Sequence, residues 1–134
     1  MTLSKLSEQG HTADALAPRA VTAYDIDEWS VRNTTHNCTL NNVENVSVLL
    51  GDSNVLKDIK DRYDVITANI NRNILLADMH MFKQKMSAGA VLILSGFYTS
   101  DTEILVEKAK SLKLTLIDNN SKNDWCMLKF KNLD

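Results

Sequence analysis

Apolar residues gather in short runs along the chain, and three of these runs end on a polar residue. They are residues 21–25 (VTAYD), 46–52 (VSVLLGD) and 63–69 (YDVITAN). A near-continuous apolar run marks a parallel strand buried on both faces. Ligands on such sheets sit just beyond the carboxyl ends of the strands. The pattern therefore predicts that Asp25, Asp52 and Asn69 lie on the same sheet edge, as three walls of one nucleotide-sized crevice. Between the runs the period changes. Asp27 is placed to cap a helix over about residues 28–41, with Glu28 near its positive end and Trp29, Val31 and Cys38 expected to face inward. Asn41-Asn42 ends it, and residues 58–62 form a charged connector. Ile74, Leu75, Met79, Phe82 and Met86 recur at helical spacing over residues 74–85.

The most apolar run, residues 90–94 (AVLIL), reads as a central strand entered through Ala88-Gly89-Ala90 and ended by Ser95-Gly96. Residues 101–112 form a further helix, with Ile104, Leu105, Ala109 and Leu112 on one face. Residues 115–118 and 125–130 close the chain as two strands, joined by a turn at Lys122-Asn123-Asp124. Residues 1–19 are the least patterned, with one or two helical turns capped by Thr12. Strand–helix alternation followed by a terminal hairpin predicts an α/β three-layer sandwich with up to six strands, a mostly parallel sheet and a C-terminal antiparallel hairpin.

Composition adds bounds. The chain has 134 residues, which suits one domain, and at 44% hydrophobic and 24% charged it resembles an ordinary globular protein. The net charge of −2 and pI near 5.9 supply no long-range pull toward nucleic acid or an anionic membrane. Cys38 and Cys126 make no disulfide framework, and His11, His36 and His80 lie far from both, so no metal site is expected. No signal-peptide core or membrane-length apolar stretch occurs, and the chain reads as cytoplasmic.

Asp25 suits a pair of hydrogen bonds from ribose hydroxyls, because Asp27 is the better helix cap and leaves it free. Gly51 lets backbone approach a flat ring, and Asp52 can accept from an exocyclic amine. In Ala68-Asn69-Ile70 a small residue precedes an amide whose carbonyl can hold an amine acceptor.

Residues 21–27 (VTAYDID), Gly51-Asp52, 63–70 (YDVITANI), 88–97 (AGAVLILSGF) and Trp125 together resemble the catalytic domain of PrmA-type ribosomal-protein methyltransferases. These belong to the S-adenosylmethionine-dependent class with a seven-stranded Rossmann-like sheet. The resemblance runs from Val21 to the C-terminus. It implies methylation of an amine on a large-subunit ribosomal protein, with that protein as partner and no direct contact with nucleic acid or membrane. It assigns Asp25, Ile26, Gly51, Asp52 and Asn69 to the cofactor, and Asn69 also to the acceptor amine as the catalytic residue. Asn37 matches a family asparagine without an evident mechanism, and Ser95-Gly96 matches a pair at the mouth of the site.

The departures are as informative. The family places an apolar strand and an Asp-x-Gly-x-Gly-type loop about two dozen residues before the position of Asp25. Residues 1–9 hold neither, and Gly10 stands alone. The family's N-terminal recognition domain has no counterpart either. Residues 1–134 therefore read as one incomplete methyltransferase-like domain. Methyl transfer from a sulfonium needs mostly alignment. Without the loop only one side of the nucleoside is held, so binding is expected to be about millimolar or weaker and activity impaired. A non-catalytic Rossmann-like module and a nucleotide-binding oxidoreductase fragment are the alternatives. The absent first strand leaves a gap between residues 21–25 and 63–68. The polarity of residues 1–7 favours direct parallel pairing of these two strands, with oligomerisation through the exposed strand edges as the next remedy.

Overall fold

The computed structural model describes residues 2–5 and 20–134. The expected helical turn at Thr12 and the lone Gly10 lie outside these residues. The elements follow in the order β1 (Thr2–Lys5), β2 (Ala20–Asp25), α1 (Glu28–Leu40), β3 (Val46–Leu50), β4 (Tyr63–Asn69), α2 (Arg72–Gln84), β5 (Met86–Tyr98), α3 (Thr102–Ser111), β6 (Leu114–Lys122) and β7 (Trp125–Asn132). Short 3₁₀ turns at Ser53–Leu56 and Thr99–Asp101 follow β3 and β5.

One seven-stranded sheet has the order β3-β2-β1-β4-β5-β7-β6. β2 and β3 are parallel, as are β4 and β5, while β6 and β7 form the antiparallel hairpin that the sequence implies. Asn123 and Asp124 both have positive φ, 52° and 69°, the arrangement that joins twisted strands with two residues. α1 packs on β2 and β3, while α2 and α3 pack together over β5, β6 and β7; the right-handed rule for parallel crossovers that run outward in opposite directions puts the two groups on opposite faces. The result is the expected Rossmann-like three-layer sandwich.

The centre of the sheet departs from expectation. β2 and β4 do not pair. β1 lies between them, antiparallel to both, with Thr2 opposite Ala23 and Thr67, and Ser4 opposite Val21 and Val65. The strand count is therefore seven rather than six. The expectation gave the polarity of Thr2, Ser4 and Lys5 too much weight. Two facing rows of backbone N–H and C=O groups need partners whatever the side chains are, and each group left buried and unpaired costs about 1–3 kcal/mol. Tyr63 reaches across the slot and donates its hydroxyl to Thr22 Oγ1 at 2.9 Å, which ties β4 to β2 one strand apart.

The sealed core lies on the α2/α3 side. Ile66 and Ala68 of β4, Leu92 and Leu94 of β5, and Leu128 and Phe130 of β7 are buried there with Leu75, Met79 and Phe82 of α2 and Leu105 and Ala109 of α3. The alternate residues Val65, Thr67, Val91, Ile93, Met127 and Lys129 are only half-buried. The apolar runs are thus fully buried on one face and partly covered on the other. α1 contributes no buried residue, and Trp29, expected to face inward, is 69% exposed. Its side chain lies against Arg32 at 5.6 Å from guanidinium carbon to ring centroid. Val31 and Cys38 are half-buried. The helix is rich in Asn and Thr and has too thin an apolar stripe to seal that side.

β5 is longer than the apolar run suggested. It begins at Met86, which pairs with Tyr63, and continues past Ser95-Gly96 to Tyr98. Gly89 and Gly96 carry φ of 79° and 89°, and the pairing with β7 resumes beyond a register shift as Phe97 opposite Cys126. Glycine relaxes the strand locally without ending it. Among the described residues no helix is long and apolar enough to cross a membrane.

Candidate functional site

The carboxyl ends of β2, β3 and β4 meet at one edge of the sheet. Around them opens a cleft of about 480 Å³, lined among the described residues by Tyr24, Asp25, Ile26, Gly51, Asp52, Ser53, Asn69, Ile70, Asn73, Ile74, Ala77 and Asp78. All five residues that the sequence singled out for the site, Asp25, Ile26, Gly51, Asp52 and Asn69, line it. The volume falls within the roughly 300–1,000 Å³ of small-molecule sites. A second hollow of about 600 Å³ near Arg62, Lys83 and Asn132 is an open surface depression that holds none of them.

Each wall is fixed by local structure. The Asp27 side chain caps α1, accepting from Trp29 N at 3.2 Å and Ser30 Oγ at 2.8 Å. Asp25 is not wholly free, because its Oδ1 accepts from Asp27 N at 2.9 Å, while its backbone carbonyl accepts from Gly51 N at 2.9 Å. The β2 and β3 ends are thereby locked together. Gly51 has φ 147°, and a Cβ there would lie 2.6 Å from Val55 Cγ1. Asp52 caps the 3₁₀ turn through Asn54 N at 2.9 Å. In both aspartates Oδ2 accepts no protein donor among the described residues.

Asn69 ends β4 opposite Ser95, and its side chain makes no hydrogen bond among the described residues. Ile70 N donates to Ser95 O at 3.2 Å. A Cβ on Gly96 would lie 2.5 Å from Asn69 Oδ1, so only glycine lets the amide rest where it does. Asn71 caps α2 by accepting from Ile74 N at 3.0 Å. Arg72 pairs with Asp101 at 3.0 Å, and Asp101 also accepts from Tyr98 N at 3.3 Å, so the β4–α2 and β5–α3 connections are clasped.

Ser95 and Gly96 do not line the cleft; they back it through Asn69 and Ile70. Asn37 also lies away from it, exposed on α1, where its carbonyl accepts from Asn41. Tyr24, Ser53 and the α2 face of Asn73, Ile74, Ala77 and Asp78 are additional walls. Asp78 Oδ1 accepts from Ser53 Oγ at 3.0 Å. The Tyr24 hydroxyl is held protonated, its pKa raised first by burial and then by the negative charges of Asp78 and Asp52.

A Rossmann-like sheet with acidic and amide residues at the carboxyl ends of successive strands places the chain in the class of α/β folds whose ligand cleft lies at that edge. Solved structures agree on the fold. The ribosomal protein L11 methylase of Lactobacillus delbrueckii subsp. bulgaricus superposes with a TM-score of 0.79 at 20% identity, over 91% of this chain and 62% of that one. A Streptococcus mutans protein assigned as a methyltransferase and solved in complex with SAH gives a TM-score of 0.69 at 15% identity, over 82% of this chain and 74% of that one. Sequence is more specific. The model of the family "Ribosomal protein L11 methyltransferase (PrmA)" matches residues 11–133. The ribosomal protein L11 methyltransferase of Porphyromonas gingivalis is 47% identical over 118 residues, which are 88% of this chain and 40% of that protein. This chain belongs to the ribosomal protein L11 methyltransferase family, and it spans about 40% of the length of such relatives.

Proposed function

We propose that the cleft holds the adenosyl part of S-adenosylmethionine, and that the chain's chemistry is N-methylation of an amine on a large-subunit ribosomal protein. The observation that carries this reading is the convergence of Asp25, Asp52 and Asn69 on one cleft in a chain of this family. The donor set fits a nucleoside. Asp25 keeps an oxygen for ribose hydroxyls, Asp52 keeps one for the base's amine, and Ile26 and Ile74 supply apolar surface for the ring. When bound, the cofactor supplies an electrophilic methyl group on a sulfonium. The protein's part is alignment, with the unpaired Asn69 amide placed to accept a hydrogen bond from the acceptor amine.

The cofactor's methionine end has less to hold it. No Gly-x-Gly occurs in the sequence, and antiparallel β1 occupies the slot beside β2 and β4. Two charge-assisted hydrogen bonds of roughly 1.5–3 kcal/mol each, less the cost of association, correspond to about millimolar affinity. Transfer by this chain alone is correspondingly impaired. Three carboxylates and no Lys or Arg line the cleft among the described residues, which disfavours a pyrophosphate and with it the dinucleotide-binding alternative.

Calorimetric titration with S-adenosylhomocysteine, alongside transfer of labelled methyl from S-adenosylmethionine to the ribosomal protein, tests the reading. Weak binding that is lost in Asp25→Ala, with little transfer, is the expected result. No binding at 10 or more times the expected constant (roughly 10 mM), or preferential binding of a nicotinamide dinucleotide, contradicts it. Robust transfer by the chain alone contradicts the impairment.

A further inference from the structure

In the reading above the α2 wall contacts the ligand only through Ile74, yet it also carries the cleft's third carboxylate. Asp78 is half-buried in the middle of α2, a turn beyond Ile74, and lines the cleft opposite the β3 end. One of its oxygens is fixed by the Ser53 hydroxyl at 3.0 Å; the other accepts no protein donor among the described residues. Ser53 directly follows Asp52, so the hydrogen bond ties α2 to the turn that carries the proposed base contact. Tyr24 is 5% exposed and lines the same cleft, and because Ser53 follows Asp52 directly, its hydrogen bond to Asp78 brings the two carboxylates to one end of it. That end presents carboxylate oxygens to a ligand, because the Ser53 hydroxyl is already spent on Asp78.

We propose that Asp78 is a specificity-determining residue of this cleft: together with Asp52 it accepts the two hydrogens of a purine's exocyclic 6-amine, so that a 6-aminopurine is taken and a 6-oxopurine refused. The inference rests on the adenosyl reading of the cleft and adds which edge of the base is read, and by what. A 6-amino group offers two N–H donors. A 6-oxo group at the same place turns an acceptor toward two carboxylates and leaves all three unsatisfied. A site built to hydrogen-bond one group rejects the analogue that lacks it far more strongly than an apolar pocket rejects a change of size. Asp78→Asn keeps the shape and the Ser53 contact and supplies an N–H that suits a 6-oxo group.

The test titrates wild type, Asp78→Asn and Ser53→Ala with S-adenosylhomocysteine and S-inosylhomocysteine, with nuclear magnetic resonance reading both the affinity and the integrity of the fold. Wild type is expected to favour the adenosyl ligand by about tenfold or more, and Asp78→Asn to bring the two within about threefold. Ser53→Ala, which frees Asp78 to move, is expected to narrow the preference less; it also serves as the second variant if Asp78→Asn fails to fold. A preference that both variants leave unchanged overturns the role of Asp78 while the adenosyl reading stands. Wild type that binds neither ligand overturns both.

Discussion

Gly89 and Gly96 have nearly the same backbone conformation, φ 79° and 89°, but different surroundings. A Cβ on Gly89 meets nothing within 4 Å, whereas one on Gly96 meets Asn69 Oδ1 at 2.5 Å and Ile70 N at 2.9 Å. Gly89→Ala is expected to cost only the strain of a positive φ, about 1–3 kcal/mol. Gly96→Ala adds a steric clash and is expected to cost about 1–3 kcal/mol more; urea midpoints of the two variants check the difference. Tyr24 supplies a pH signature. Its raised pKa means the folded state favours the neutral phenol, so this contribution is complete below the ordinary tyrosine value near 10 and is lost as pH rises above it. Tyr24→Phe is expected to flatten the fall in stability above about pH 10, as denaturant midpoints measured across that range would show. Of the site, Asp25, Asp52 and Asn69 were legible because each follows an apolar run, where the chain must stop and a polar group meets solvent. Asp78 was not, because a carboxylate in an amphipathic helix has the same local pattern as a solvated one. Its place on the cleft wall and its contact with Ser53, 25 residues distant, come from the fold alone.

The elements differ in how far pattern decided them. In α2 and α3 the spacing picked out Leu75, Met79, Phe82, Leu105 and Ala109, which are buried, but also Ile74 and Ile104, which are exposed, and Met86, which begins β5. α1 was legible in its limits, set by Asp27 and by Asn42 at φ 55°, but not in its facing. Trp29 follows the capping aspartate by two residues and sits on the solvent side of the helix. Trp29→Ala is therefore expected to change stability by about 0.5 kcal/mol or less, against about 3–5 kcal/mol for the fully buried Phe82→Ala. Denaturant titration of the two variants measures this contrast. β1 was missed for a different reason. Its pairing is a demand of the neighbouring backbones, and side-chain polarity carries no record of it. Ser4→Pro removes an amide from a strand with neighbours on both sides and is expected to destabilise the sheet. Hydrogen exchange of the β2 and β4 amides that face β1 would then accelerate; unchanged exchange along both strands would contradict the central place of β1.

At the scale of the whole molecule, strand order does the work of assembly. β2 and β3 run parallel on one side of β1, and β4 and β5 on the other. Their carboxyl ends therefore share an edge, and residues far apart in sequence meet there without any motif that spans them. α2 and α3 pack that side of the sheet into the core, and α2 itself supplies one wall of the cleft. The central claim is that this cleft takes an adenosyl group. Titration of the isotope-labelled chain with S-adenosylhomocysteine, followed residue by residue in amide spectra, tests it most directly. The account predicts saturable shifts at Asp25, Ile26, Gly51, Asp52, Ser53, Asn69 and Asn73, all lost in Asp25→Ala. Shifts centred elsewhere, or shifts at these residues that persist in Asp25→Ala, would contradict it.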